Sequence, residues 1–278
     1  MSTTDTPVYR LSTGTLPLLI SMPHVGTRLP DEFVAQMNPG AALLQDTDWQ
    51  LERLYAFAVA LGASVLEARV SRYVIDLNRP PGGESLYPGQ TTTGLCPTET
   101  FRGEPLYQHG AAPDATEQQR RLHAYWMPYH AALSAELARL ETRHGGALLW
   151  DAHSIAGVLP RLFEGQLPDL NFGTNSGQSC GAAVLESVVA VAQGSPFTHV
   201  VNGRFKGGYI TRHYARPQRN VHAIQLEMRQ SLYMDEAPPF DYMEPRASTV
   251  QPLLKGMLLA ALDKLPGPAA AESISGHR

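Results

Sequence analysis

The chain has 278 residues, of which 43% are hydrophobic, and its formal net charge is −4 at pH 7. This length suits one large domain or two small ones, and the hydrophobic fraction is enough for a sizeable core. Nucleic-acid-binding domains usually show a basic patch or stripe, whereas the longest basic runs here are pairs such as Arg120-Arg121. The composition therefore argues against a nucleic-acid partner.

The sequence shows no membrane or secretion signal. No run approaches the roughly 18–20 apolar residues of a membrane span, and residues 1–17 lack the basic region and apolar core of a secretory signal. The two cysteines, Cys96 and Cys180, are too few for a disulfide scaffold, and they exclude a cysteine-rich structural zinc site. We therefore expect a cytoplasmic protein that does not associate with membranes.

The first part of the chain predicts three strands, one helix and a long loop. Apolar runs predict strands over 16–22, 63–68 and 72–78. Residues 46–62 predict a helix, because their apolar side chains recur at helical spacing. Residues 80–113 are rich in Pro, Gly and Thr and predict a loop. A loop this long in a compact domain is usually functional or disordered.

The rest of the chain continues the alternation of helices and strands. A long helix pattern covers 114–145, and Pro128 inside it predicts a kink. The patterns that follow predict, in chain order, a strand over 146–150, a polar loop over 154–179, a helix over 180–194, a strand over 198–205, a glycine-opened loop over 206–214, a strand over 220–228 and a helix over 247–265.

This alternation predicts an α/β fold with a mixed, mainly parallel sheet and helices on both faces. We expect a single catalytic α/β domain over residues 1–265 and a disordered tail over 266–278, where the residues are small and polar. In such sheets, ligands bind beyond the carboxyl ends of the strands. The residues that follow each strand are therefore the candidates for function.

Nearly every predicted strand carries a charged or metal-binding side chain at or near its end. These residues are His24, Asp76, Asn78, Arg79, Asp151, His153, Asn202, Arg204 and Glu227. A single residue of this kind would mean little. Five strands with the same property indicate a shared site.

The histidines and one acid have two interpretations each. His24 is either a turn histidine or a metal ligand, and His153 either packs a loop or binds metal. Catalytic zinc uses three protein ligands and leaves a fourth position for water. Asp48 is either the third ligand or an acid in the first turn of a helix, where the helix dipole stabilises its negative charge. Asp151 either caps a strand end or orients His153 through its second ring nitrogen, because the two residues share one face.

Glu227 and several arginines have alternatives as well. Glu227 lies in an apolar strand, where burial would raise its pKa and suit a general base; the alternative is a salt bridge with Arg229. The arginine fork grips carboxylates, so arginines at strand ends or in polar loops predict a small acidic substrate. These arginines are Arg72, Arg79, Arg102, Arg204 and Arg212.

Seven blocks of sequence, in this order, resemble the N-formylglutamate amidohydrolase (N-formylglutamate deformylase) family. They lie within residues 8–264 and read PHVGTRLP, DTDWQLERLY, SRYVIDLNRP, LLWDAHSI, LPDLNFGTNSGQSC, NGRFKGGYITRHY and VHAIQLEMRQ. The resemblance implies a zinc-dependent hydrolase with a fold similar to the zinc carboxypeptidase-like (phosphorylase/hydrolase-like) folds. It also implies removal of the formyl group from N-formyl-L-glutamate, giving formate and glutamate in the last step of one histidine degradation route.

The resemblance implies roles for particular residues. It makes His24 and His153 metal ligands. The carboxypeptidase-like His-x-x-Glu pattern is broken here by Thr27, so we expect Asp48 to be the acidic ligand. Glu227 matches the strand glutamate that acts as the base.

Substrate contacts are predicted from the same comparison and from the charge of the substrate. Asn78-Arg79 resembles a carboxylate-binding pair, with Arg204 as the expected second anchor. We expect Arg212 or Arg102 to support the oxyanion, and Arg102 to contact substrate as well.

Two other functions remain open at this level. One is another zinc amidohydrolase or deacylase acting on acidic N-acyl amino acids. The other is a non-catalytic dicarboxylate-binding protein. Manganese or cobalt would also suit histidine and carboxylate ligands, and the sequence does not predict an oligomeric state.

Overall fold

A seven-stranded sheet forms the centre of the computed structural model, which describes residues 7–265. Its strands are β1 (Tyr9–Ser12), β2 (Leu18–Met22), β3 (Ser64–Ala68), β4 (Ala147–Ile155), β5 (Leu170–Gly173), β6 (His199–Val201) and β7 (Val221–Arg229). Their order across the sheet is β1-β3-β2-β4-β7-β5-β6. The four strands β3, β2, β4 and β7 are parallel, whereas β1 and β5 run antiparallel to their neighbours β3 and β7. The prediction of a mixed, mainly parallel sheet is confirmed.

Helices cover both faces of this sheet, as predicted. The α-helices are α1 (Asp31–Val34), α2 (Leu51–Leu54), α3 (Phe57–Leu61), α4 (Ala115–Arg121), α5 (Met127–His144), α6 (Ala182–Gln193), α7 (Tyr209–Tyr214) and α8 (Glu244–Asp263). Short 3-10 turns occupy Pro39–Leu43, Pro217–Arg219 and Gln230–Leu232. Helices α6 and α8 pack on the face that carries Trp150, and α5 and α7 pack on the face that carries Leu149. Neighbouring strand residues point to opposite faces, so each face receives its own apolar set.

Residues 72–78, predicted as a strand, form turns instead. Val74 and Ile75 are buried, which explains the apolar pattern, but the segment joins no ladder. Its backbone is held locally, since Val74 N–H donates to Ser71 O and the Asp76 carboxylate accepts Asn78 N–H at 2.9 Å. Apolar burial alone therefore did not distinguish a strand from a packed turn.

The helix predicted over 46–62 begins later and is broken. The first helical residue is Leu51, after Gln50 adopts a left-handed backbone with φ 62°. The preceding turn is held because Asp48 N–H donates to His24 O at 3.0 Å. This tie keeps Asp48 near the end of β2 and out of a helix.

Five further elements differ from the predictions. Strand β4 continues through His153 to Ile155, so this histidine lies within the strand and not after it. The loop predicted over 206–214 contains α7, and β1 and β5 were not predicted. A π-helical turn over Leu122–Trp126 separates α4 from α5 immediately before Pro128.

The domain assignment itself stays a prediction. The expected single catalytic domain covers residues 1–265, and the structure describes 7–265 of it. The predicted disordered tail, 266–278, lies outside the described residues.

Candidate metal centre and active site

Two adjacent parallel strands bring the two candidate histidines together. Strand β2 ends at Met22, and His24 follows in the next turn. Its neighbour β4 carries His153, and the two imidazole centroids are 4.8 Å apart. Carboxyl ends of parallel strands meet at one edge of a sheet, which explains why residues 129 positions apart converge.

Asp48 completes a group of three donors. Its Oδ2 lies 3.2 Å from Nδ1 of His153 and 3.9 Å from Nδ1 of His24. One ligand atom from each residue lies within 4.8 Å of the others, and all three residues are buried. Two imidazole nitrogens and a carboxylate oxygen match the donor set of a catalytic zinc site, so the chemistry of these residues fits a divalent ion.

The second nitrogen of each histidine is held by another carboxylate. Nε2 of His24 lies 2.7 Å from Asp76 Oδ1, and Nε2 of His153 lies 3.2 Å from Asp151 Oδ1. Protein carboxylates hold metal-binding histidines in this way, fixing both the ring orientation and the tautomer. Both Nδ1 atoms consequently face Asp48.

The surroundings shift the pKa values of the two histidines in opposite directions. Burial favours neutral His153, but the Asp151 and Asp48 carboxylates outweigh it and raise the pKa of His153 well above its usual range. Burial and the Arg72 guanidinium lower the pKa of His24, and the Asp76 carboxylate only partly offsets them. Arg72 pairs with Asp76 at 2.7 Å, so this carboxylate serves both the arginine and the histidine.

Glu227 lies beside this group on the next strand. Strand β7 pairs with β4 in a register that places Glu227 opposite His153. Burial raises the pKa of Glu227 to about 8, although His153 and Arg72 act in the other direction. A carboxyl group with a pKa near neutrality can both accept and return a proton under ordinary conditions.

A cleft opens next to these residues, and arginine side chains are part of its lining. His24, His153 and Glu227 line it together with Arg79 and Arg204. Arg79 donates to Thr93 O at 2.9 Å, and Arg204 donates to Leu162 O at 2.7 Å and to Thr91 O at 3.0 Å. Backbone carbonyls therefore fix both guanidinium groups. Among residues 7–265, the carboxylate closest to either of them is that of Asp76, 3.9 Å from Arg79.

Comparison with known proteins identifies the family of this chain. The family model described as N-formylglutamate amidohydrolase matches residues 16–234. The chain belongs to the N-formylglutamate amidohydrolase family. It is 52% identical over 258 residues to an N-formylglutamate deformylase of Pseudomonas aeruginosa, covering 92% of this chain and 96% of that protein. A second N-formylglutamate deformylase, from Pseudomonas putida, is 52% identical over 250 residues, with 90% and 93% covered.

Solved structures support the same fold for this family member. The crystal structure of an N-formylglutamate amidohydrolase from Ralstonia eutropha JMP134 superposes with a TM-score of 0.75 at 24% identity, covering 92% of this chain and 96% of that one. A gene product of Agrobacterium tumefaciens superposes with a TM-score of 0.70 at 17% identity, covering 92% and 95%. The similarity to zinc carboxypeptidases stays a prediction.

For three of the residues predicted to contact substrate or to act in catalysis, the contacts in the structure do not test the predicted role. The Asn78 amide nitrogen lies 2.8 Å from His153 Nε2 and donates to Asp151 Oδ2 at 3.2 Å, while the amide oxygen accepts Ile210 N–H. Arg212 bonds to Gly207 O, and within residues 7–265 the cleft lining does not include it. Arg102 lines a neighbouring cavity instead. The functional roles of all three stay predictions.

The sequence placed Asp76 among the strand-end residues but gave it no role, and it did not single out Thr211. Asp76 touches His24 and Arg72, and Thr211 donates to Asp151 Oδ2 at 3.0 Å from helix α7. The signal for Asp76 was a lone acid inside the apolar run YVIDLN. Thr211 had no signal, because its segment was expected to be a loop.

No helix within residues 7–265 is long and apolar enough to cross a membrane.

Proposed function

We propose that this chain hydrolyses N-formyl-L-glutamate to formate and L-glutamate, using a divalent metal ion, with zinc as the first candidate. The observation that carries the proposal is the buried His24, Asp48 and His153 group beside Glu227. The relatives named N-formylglutamate deformylase support the choice of substrate, because they match this chain over most of its length.

His24, Asp48 and His153 would hold the ion. A bound divalent ion supplies Lewis acidity, which makes water a nucleophile near neutral pH and stabilises negative charge on a carbonyl oxygen. Asp76 and Asp151 keep the histidine Nδ1 atoms directed at Asp48, so the donors are preorganised.

Glu227 handles the proton in this proposal. It takes a proton from the water that attacks the formyl carbon and returns it to the amine nitrogen as the carbon–nitrogen bond breaks. Its burial keeps the carboxyl close to the pKa that both transfers need. The products are formate and L-glutamate, which now has a free amino group.

The arginines that line the cleft suit the two carboxylates of the substrate. We propose Arg79 as the first anchor and Arg204 as the second, because both line the cleft. Arg212 and Arg102 are retained as proposed supports for the developing negative charge. The cytoplasmic location and the role in histidine degradation also stay predictions.

The test is formate release from N-formyl-L-glutamate by the metal-loaded protein, by the chelator-treated protein, and after zinc is added back. We expect release that chelation abolishes and zinc restores. Metal-loaded protein that releases no formate would reject the substrate, and assays with other acidic N-acyl amino acids would follow. If the protein binds no metal but is thermally stabilised by glutamate, the binding-protein alternative is correct.

A further inference from the structure

The first turn of helix α7 is bonded to two buried side chains that line the cleft. Gly208 N–H, immediately before the helix, donates to Gln225 Oε1 at 2.7 Å, and Ile210 N–H donates to Asn78 Oδ1 at 2.8 Å. A glycine is needed at the start of this turn, because a Cβ atom on Gly208 would lie 2.5 Å from the Asn78 amide. These contacts fix the position of α7 relative to the site.

Thr211 in the same turn reaches the carboxylate of Asp151. Its Oγ1 donates to Asp151 Oδ2 at 3.0 Å. A hydrogen bond to an ionised carboxylate is stronger than one between neutral groups. Both residues are 0% exposed, so solvent cannot supply a replacement donor if the hydroxyl is removed.

The two oxygens of Asp151 have different partners. Oδ1 lies 3.2 Å from Nε2 of His153, whereas Oδ2 accepts from Thr211 at 3.0 Å and from Asn78 Nδ2 at 3.2 Å. Thr211 makes the shorter of the two bonds, and the Asn78 nitrogen also lies 2.8 Å from His153 Nε2. Because a carboxylate is rigid and planar, a rotation that moved Oδ2 would also carry Oδ1 away from the imidazole.

The contact at Nε2 of His153 determines where the other ring nitrogen points. Nδ1 of the same ring lies 3.2 Å from Asp48 Oδ2, and the imidazole turns as one unit. Carboxylates that hold metal-binding histidines in this way set the orientation of the ring. The series of contacts from Thr211 through Asp151 to His153 therefore ends at a candidate metal-binding nitrogen.

From these contacts we propose that Thr211 is a positioning residue for the metal centre: its hydroxyl fixes the Asp151 carboxylate and so keeps Nδ1 of His153 directed at Asp48. The inference rests on the proposed function, because it takes His153 and Asp48 as metal ligands. Within residues 7–265 the cleft lining does not include Thr211, so its effect is exerted through Asp151.

The experiment measures the zinc affinity of the full chain by competition with a chromogenic chelator. It compares wild type with Thr211→Val, which keeps nearly the same shape but loses the hydroxyl, and with Thr211→Ser, which keeps the hydroxyl. Replacing a group that holds a metal ligand weakens metal binding roughly 10–100-fold, and Thr211 acts one residue further out, so we expect a loss of about tenfold in Thr211→Val. Thr211→Ser should bind zinc nearly as wild type does.

Ile210→Val is the matched control in the same turn of α7. It trims one methyl group from a fully buried side chain that packs in the apolar cluster of Leu149, and it keeps the backbone bond to Asn78. The loss of packing should lower its melting temperature while its zinc affinity stays at the wild-type value. This variant therefore separates a loosened helix from a missing hydroxyl.

Wild-type zinc affinity in folded Thr211→Val would overturn the inference. An equal loss of affinity in Thr211→Ser or in Ile210→Val would overturn it as well, because the loss would then not follow the hydroxyl. If Thr211→Val does not fold, Thr211→Ala decides by the same criterion. His153→Ala, measured alongside, tests the metal centre itself: if it binds zinc like wild type, the proposed metal centre is wrong and the inference falls with it.

Discussion

The buried pair His24 and His153 differs in its surroundings from His130, which is buried elsewhere in the molecule. His24 and His153 are 4% and 2% exposed at the carboxyl ends of β2 and β4, and His130 is 4% exposed on α5. Burial alone does not separate them. The carboxylates Asp48, Asp76 and Asp151 surround the first pair, whereas His130 lies among aromatic rings, with Trp126 stacked at 3.6 Å.

The ring nitrogens show the functional difference. Nε2 of His130 lies 2.8 Å from Leu77 O, and its Nδ1 lies 2.9 Å from Tyr214 OH, so neutral groups satisfy both nitrogens. Burial lowers the pKa of His130 to about 3. In the pair His24 and His153, the Nδ1 atoms of both rings face the same carboxylate oxygen, Asp48 Oδ2. A buried histidine is therefore a candidate ligand when a nitrogen faces an acid, and a packing residue when both nitrogens have neutral partners.

The largest effect should come from removing a donor of the pair His24 and His153. We expect His153→Ala to lose bound zinc and at least about 10³-fold in kcat/KM, because the ion supplies several kcal/mol of transition-state stabilisation. Metal analysis and formate release measure both. His130→Gln is the control: it should bind zinc like wild type, and a loss of zinc in this variant would erase the distinction between the pair and His130.

Glu227→Gln should separate metal binding from turnover. The amide has nearly the same shape but cannot take a proton, so we expect zinc content to be unchanged and kcat to fall about 10²–10⁴-fold. Initial rates of formate release and metal analysis of the same sample test this. Wild-type turnover in the variant would remove Glu227 from the mechanism.

Asp76→Asn should have an intermediate effect, through the orientation of His24. Loss of the carboxylate that holds Nε2 should weaken zinc binding about 10–100-fold, as measured by competition with a chromogenic chelator. Glu136→Gln is the matched control, since Glu136 is another buried carboxylate paired with an arginine, Arg139, on α5. Equal affinities in Asp76→Asn and wild type would show that His24 does not need this contact.

The smallest expected effect concerns His130 and acid stability. Its folded pKa, about 3, lies below the unfolded value near 6.5, so the unfolded chain binds a proton that the folded chain rejects. The stability that neutral His130 contributes is complete above pH 6.5 and is lost as the pH falls toward 3. By pH 5.5 this loss is about 1 kcal/mol.

Denaturant unfolding at pH 7.5 and 5.5 measures this contribution. His130→Gln should lose less stability than wild type between these two pH values. His123→Gln, a change at an exposed histidine on the nearby π turn, should behave like wild type. Parallel curves for wild type and His130→Gln would show that His130 does not titrate as described.

The α/β class and most of the central strands could be predicted from the sequence. The apolar runs of β2, β3 and β7 were found nearly in place, because a strand buried on both faces reads as a continuous apolar run. The four-residue strands β1 and β5 were missed, since β1 is only half-buried and β5 lies within a segment rich in turn residues. The helix α7 was taken for a loop because two glycines precede it.

The site was predictable in its residue types and less so in its contacts. His24, His153 and Glu227 were candidates because they lie in or next to apolar strands, and Asp48 was chosen through the family resemblance. The structure brings His24, Asp48 and His153 together and places Glu227 opposite His153. The position of Arg212 could not be foreseen, since it depends on how α7 packs beside the cleft. Long-range packing of this kind leaves no periodic trace in the sequence.

The most direct test of the account is anomalous X-ray diffraction from crystals of the zinc-loaded protein, recorded on both sides of the zinc absorption edge. The account predicts one strong peak within bonding distance of His24 Nδ1, His153 Nδ1 and Asp48 Oδ2. A peak held by other residues, or no peak in protein that turns over substrate, would contradict the assignment of these three residues as the metal centre.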